Sequence, residues 1–421
     1  MKRFLTVLSV LVVSGAFVFA GGSQEPAPED TGPVTIRIMG YGGQDPAIVV
    51  RLLDEVIGSR LEEDGIELVY EPLEGDYNAQ LFNALSAGTA GDIVYIPAET
   101  APGIIATGQI MPLDDVVDAD PFIDSLVETY TFDGSLYGIA KDFNTLALHY
   151  NMDLFDEAGV PYPDENDTWE SLAEKLAAVS ELGDDIYGLS IPTLYERFGF
   201  LPFSNGWQPF DADGTTDFLD PAFVESMEYL VGLYEDGSAV MPQDLGQGWS
   251  GGALATERVG VAVEGAWILG FLRNEAPNLQ FGTAPLPLSP SGTRGNFLYT
   301  VAYGINANTK HPEAAVKVLE ALTSVEAQQF ILEEGLAIPS RAALADNPFF
   351  DADTPEATAN RIIFEGASDG NVQGYQFGTV GTDWFQPINA AITSVVTDQG
   401  TLQEELRRAQ EETEALIERS R

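Results

Sequence analysis

The groups in this chain that could carry chemistry are aromatic rings beside carboxylates and amides. Lys141-Asp142-Phe143-Asn144 is a polar insert between two short apolar runs, residues 136–140 and 145–150. A polar side chain left buried and unpaired between core strands costs about 1–3 kcal/mol. Asp142 and Asn144 therefore read in two ways: as lining of a cleft that the chain crosses like a hinge, or as part of a polar surface hairpin. Five tryptophans offer flat apolar faces of the kind that stack on the C–H side of a sugar ring. Carboxylates and amides then suit the hydroxyls. Trp169 stands in the first turn of an amphipathic segment and reads as core, while Trp207 and Trp249 lie in glycine-rich loops and stay open between core and ligand.

Other candidates sit where open α/β sheets bind ligands, beyond the carboxyl ends of strands. Tyr41 and Gln44 occupy a glycine-rich turn after the strand 34–39, and Tyr77 opens the second helix. The turn is not a dinucleotide loop, because Asp45 breaks the glycine spacing and would repel phosphate. Arg341, one of few cations, could orient a ligand, bridge two lobes or form a plain surface pair. Catalytic signals are thin. His149 and His311 are the only histidines, there is no cysteine, and no nucleophile elbow, metal-ligand spacing or Walker loop is present. No catalytic residue, metal or cofactor is expected. A secreted glycoside hydrolase stays open as an alternative, since it needs only two carboxylates.

The elements that must position these groups alternate. Strands are expected at 34–39, 66–72 and 91–96, with helices from Pro46 to about Arg60 and over 78–87, where Gly88 is the stop. This order predicts a mostly parallel α/β sheet. Further helices are expected at 169–182 behind a Thr168 cap and at 222–234 behind Asp220, with another starting at Trp384. Asp211-x-Asp213-Gly214 begins like a calcium loop but lacks its later ligands, so it reads as an ordinary turn.

The N-terminus has the pattern of a secretory leader: Lys2 and Arg3, an apolar run to Phe19, and cleavage expected after Ala20. Residues 21–33 read as a flexible linker, and no thioether lipid can form without cysteine. Roughly 400 remaining residues exceed one core's usual limit of about 250–300, so two lobes are expected. The chain carries 66 acids against 19 bases, a formal charge of −47. Losing Lys2 and Arg3 with the leader takes away two positive charges and leaves −49. Such a surface repels nucleic acid.

Six motifs in order carry a resemblance. Gly134-Ser135-Leu136-Tyr137-Gly138-Ile139-Ala140 and His149-Tyr150-Asn151 resemble the crossover segment of extracellular solute-binding protein family 1, the periplasmic sugar-binding components of ABC transporters related to maltose-binding protein. Ala140 and His149 replace a Pro and a Tyr there. Residues 106–115, 168–172, 281–287 and 335–341 resemble further family motifs, and Glu264-Gly265-Ala266-Trp267 resembles the stretch whose Trp stacks on sugar. The resemblance implies an α/β two-lobe periplasmic-binding-protein fold of type II, closing about a hinge of three crossovers. It implies lobe 1 at 34–141 plus 297–342 and lobe 2 at 142–296 plus 343–421. It places Glu99, Trp267 and Trp384 among the ligand contacts. The function implied is capture of a carbohydrate and its delivery to membrane permease subunits, by a monomer without enzyme activity. A non-sugar small polar solute is the remaining alternative ligand.

A charge this large weakens the compact state unless salt screens it, which points to a salt-adapted source. The melting temperature is expected to rise between low salt and 1 M NaCl; a flat response would contradict that reading.

Overall fold

The computed structural model describes residues 32–42, 45–211, 213–334 and 336–420. The expected leader, the linker as far as residue 31, and Gln44 lie outside these. Alternation makes β1 (Val34–Tyr41) a strand: Ile36 and Ile38 are fully buried while Thr35 is exposed. It pairs in parallel with β2 (Ile66–Leu73) and β3 (Ile93–Pro97). The Arg37 guanidinium forks onto Glu71 of β2, with Nε and Nη2 2.7 and 2.6 Å from the two carboxylate oxygens. The helix Tyr77–Ala87 starts on the Asp76 side chain, which accepts from Ala79 N–H at 3.0 Å. It ends at Gly88, whose φ of 67° closes the last turn.

The polar insert at 141–144 is neither turn nor loop. It is the second half of β4 (Ile139–Asn144), which lies antiparallel in the first sheet. Only Thr145 and Leu146 separate it from β5 (Ala147–Asn151), the first strand of a second sheet. That sheet adds β6 (Tyr187–Ser190), β7 (Ala239–Val240), β8 (Val259–Glu264) and β9 (Phe281–Ala284), in the order β9-β5-β8-β6-β7. The chain returns along β10 (Gly295–Ile305), whose far half inserts between β3 and β4. The near half pairs with the late strand β12 (Asn371–Gly374), and β11 (Ile338–Pro339) closes the first sheet beside β4. After β11 the helix Pro355–Glu365 packs on β9, so the chain has crossed again. The architecture is two α/β lobes joined by three crossovers. The passage between the sheets falls after Asn144, later than the expected boundary at Lys141, because ladder pairing continues to Asn144 opposite Tyr299.

The crossover backbone is held by side chains. Asn296 accepts from Leu146 N–H and donates to Leu146 O, both at 2.9 Å, and Thr145 donates to Ile363 O at 2.7 Å. The two lobes also meet at their rims: Gln376 donates to Thr129 O at 2.7 Å, and Gly378–Phe385 packs on the helix Ala101–Ala106. Trp384 lies inside that 3-10 stretch; the helix expected to start there begins at Gln386.

His149 is fully buried on β5, between Thr283 Oγ1 and Glu264 O, each 3.1 Å from a ring nitrogen. Burial lowers its pKa to about 4. The unfolded chain, near 6.5, binds the proton more readily, so stability from neutral His149 is complete above that pH and is lost toward pH 4. We expect the melting-temperature gap between wild type and His149→Gln to narrow as pH falls from 7 to 4.5; a constant gap would contradict this.

Candidate functional site

The ladder between β4 and β10 skips a residue. Asp142 faces Val301 and Ala140 faces Ala302, which leaves Lys141 as a bulge. Regular alternation would turn Lys141 away from Asp142 and Asn144, whereas a bulge re-aims a side chain. Here all three line one cavity of about 660 Å³ between the sheets. The Lys141 ammonium pairs with the Asp142 carboxylate and stands 5.2 Å from the centroid of the Tyr95 ring. Burial raises the Asp142 pKa, against the opposing pull of Lys141. Asn144 Oδ1 accepts from Ala266 N–H at 3.0 Å, tying the first sheet to the loop after β8.

The opposite wall starts from an ion pair. Arg197, on the short helix Tyr195–Phe198, donates from Nε to Glu264 at 3.0 Å and from Nη1 to Glu196 O at 3.1 Å. Glu264 ends β8 and is fully buried; burial raises its pKa while Arg197 opposes the rise. The same carboxylate oxygen accepts from Trp267 Nε1 at 2.9 Å. The guanidinium carbon is 5.4 Å from the Trp267 ring centroid, and Tyr299 meets that indole edge-on at 5.7 Å. Removing one partner of a buried pair costs about 3–5 kcal/mol, because the other charge is left buried and uncompensated.

Trp249 and Phe271 add a second aromatic pair at 4.9 Å, and Tyr41 completes the lining from β1. Both cavity tryptophans lie on glycines. A Cβ on Gly265 would sit 2.5 Å from the Trp267 ring, and one on Gly251 would overlap Trp249. Gly265→Ala is therefore expected to shift the indole of Trp267, changing the near-ultraviolet circular dichroism while the far-ultraviolet spectrum stays. Identical near-ultraviolet spectra would contradict this.

Of the residues singled out from sequence, Tyr41, Asp142, Asn144 and Trp267 meet in this cavity. Glu99 stands near it, half-buried, its pKa raised by burial, and its charge bears on Tyr41, Tyr130 and Tyr375. The other four are elsewhere. Tyr77 is core: its hydroxyl donates to Tyr95 O at 2.9 Å and accepts from Tyr95 N–H, and its ring braces Tyr41 at 4.8 Å. Trp207 is buried with Nε1 on Asp217 O, and Trp384 is buried and stacked on Phe377. Both belong to an aromatic core gathered around Tyr195, where flat rings bury more area than any cleft edge would ask of them. Arg341 lies over Phe122 and donates to Thr323 O within lobe 1. Trp249, left open between core and ligand, also lines the cavity, and the lining residues not proposed as contacts include Lys141, Arg197, Phe271 and Tyr299. Phe271 had a readable signal, since it follows Trp267 by one helical turn on the same face.

The sequence profile of bacterial extracellular solute-binding proteins matches residues 61–358. A binding protein of Brucella abortus is 28% identical over 71% of this chain and 75% of its own length. The arabinooligosaccharide-binding protein of Bacillus subtilis is 24% identical over 76% of each chain. Among solved structures, an ABC substrate-binding protein of Listeria monocytogenes in complex with cycloalternan superposes with a TM-score of 0.78 at 19% identity, over 91% of this chain and 99% of the other. The GacH receptor of Streptomyces glaucescens, solved unliganded and with acarbose, gives 0.78 at 20% identity over 92% and 99%. The two-lobe fold is thus shared, and with the profile spanning most of its length the chain belongs to the bacterial extracellular solute-binding proteins.

Proposed function

We propose that this protein is the extracytoplasmic receptor of an ABC importer, taking an oligosaccharide between its lobes and handing it to the permease as a monomer. The observation that carries the reading is the cavity itself. It combines the faces of Trp249, Trp267 and Phe271 with the polar groups of Lys141, Asp142, Asn144 and Arg197. Flat rings match the C–H faces of pyranoses, and charged or amide groups match hydroxyls. Its volume equals that of roughly 20 water molecules, room for a few sugar rings rather than a polymer. Relatives named for arabinooligosaccharides and galactooligosaccharides support the same class. The basic-then-apolar N-terminus supports export with cleavage after Ala20, and the acid excess supports a salt-adapted surface.

Binding energy comes from stacking and hydroxyl contacts, and closure follows from a ligand touching both walls. No bond is made or broken. In thermal unfolding at about 1 M salt, a ligand at 100 times its dissociation constant adds about 2.7 kcal/mol. We expect a rise in melting temperature with oligosaccharides that disappears in Trp267→Ala. A response confined to amino acids or peptides, or saccharide breakdown during the assay, would contradict the proposal.

A further inference from the structure

Two aromatic pairs line the cavity, and they do not meet. Trp267 and Tyr299 form one, Trp249 and Phe271 the other, and among the described residues no ring contact joins the two pairs. The helix Trp267–Glu275 carries one member of each. Trp267 and Phe271 are four positions apart, about 6 Å along the helix axis. Gly270 stands with them. It follows Trp267 by three positions, precedes Phe271 on the same face, and lines the same cavity.

Nothing inside the protein requires a glycine there. Its backbone is helical, not left-handed. A Cβ at 270 would meet only the end of the Arg273 side chain, at 3.9 Å, which is an ordinary contact. Gly251 and Gly265 differ, because a Cβ on either would overlap an indole. Alanine would hold this helix better, since glycine loses more backbone freedom on folding. What position 270 faces is the cavity. A helical side chain leans toward the N-terminus of its helix, so any residue larger than glycine at 270 would project beside Trp267.

We infer that Gly270 determines the length of saccharide this receptor takes: its bare backbone is the gap across which a ligand of two or more rings passes from the Trp267 surface to the Trp249 and Phe271 surface. The inference deepens the saccharide reading of the cavity and rests on it. One aromatic surface stacks one ring, so two separated surfaces favour a second ring only where the path between them is clear. A bulkier residue at 270 closes that path while leaving both aromatic pairs in place. It therefore acts by exclusion, against the longer ligand more than the shorter.

Calorimetric titration of the full-length mature protein tests this with the mono-, di- and trisaccharides of three series: β-1,4-linked galactose, α-1,5-linked arabinose and α-1,4-linked glucose. The quantity read is the affinity of the tighter of the two longer ligands divided by that of the monosaccharide. In wild type we expect a ratio of at least about tenfold in the series that binds. Gly270→Leu should bring the ratio close to one, and Gly270→Ala should lower it in part. Gly270→Ala should also raise the melting temperature. So should the control Gly232→Ala, in the helix Pro221–Glu235, where a Cβ meets nothing within 4 Å, but without changing the ratio. A wild-type ratio near one, or a wild-type ratio retained in Gly270→Leu, would overturn the role given to Gly270 and leave the receptor standing. A lower melting temperature in Gly270→Ala would overturn it too, by showing that packing within the protein requires the glycine. Failure of all three series to bind wild type would overturn the receptor reading, and this inference with it.

Discussion

A carboxylate taken out of water must be met by a positive charge and filled hydrogen bonds, or it destabilises the fold. Glu264 is that carboxylate here, and its requirement organises one wall of the cavity. Arg197 supplies the charge, Trp267 Nε1 the second hydrogen bond, and Gly265 the space for the indole to fold back. Each partner comes from a different element, so the pair fixes β8, the helix at 195–198 and the start of the helix Trp267–Glu275 relative to one another. Groups held in this way before binding leave less ordering to oppose it.

The facing wall rests on a different device. A single bulged residue in β4 turns Lys141 to the same side as Asp142 and Asn144. Immediately beyond it the chain leaves the first sheet, where Asn296 clasps Leu146 and Thr145 is tied to the helix Pro355–Glu365. The cavity's polar groups therefore sit on the hinge strand itself. A contact made there bears on the same few residues about which the lobes must move.

Much of the architecture could be read from the residues, and the reasons are local. Alternation in residues 34–39, the Asp76 and Gly88 caps and the motif order each report on a few neighbours. Asp142 and Asn144 were reachable because polar side chains between two apolar runs need partners or a cleft, and Trp267 because the motif resemblance places it; all three line the cavity. Trp207 and Trp384 were misplaced because a tryptophan's chemistry is the same in a core as in a cleft, and only the gathering of rings about Tyr195 separates the two. Arg197 was passed over because its partner Glu264 is distant in sequence. The bulge at Lys141 has no sequence mark of its own; it exists in the register between β4 and β10.

The most direct test is a crystal structure with the saccharide that most raises the melting temperature. We expect a sugar ring against Trp267 or Trp249, with polar contacts to Arg197, Lys141 or Asn144, and both lobes touching the ligand. Density at another surface, such as the groove beside Trp207 and Asp220, with the inter-lobe cavity holding water alone, would contradict it.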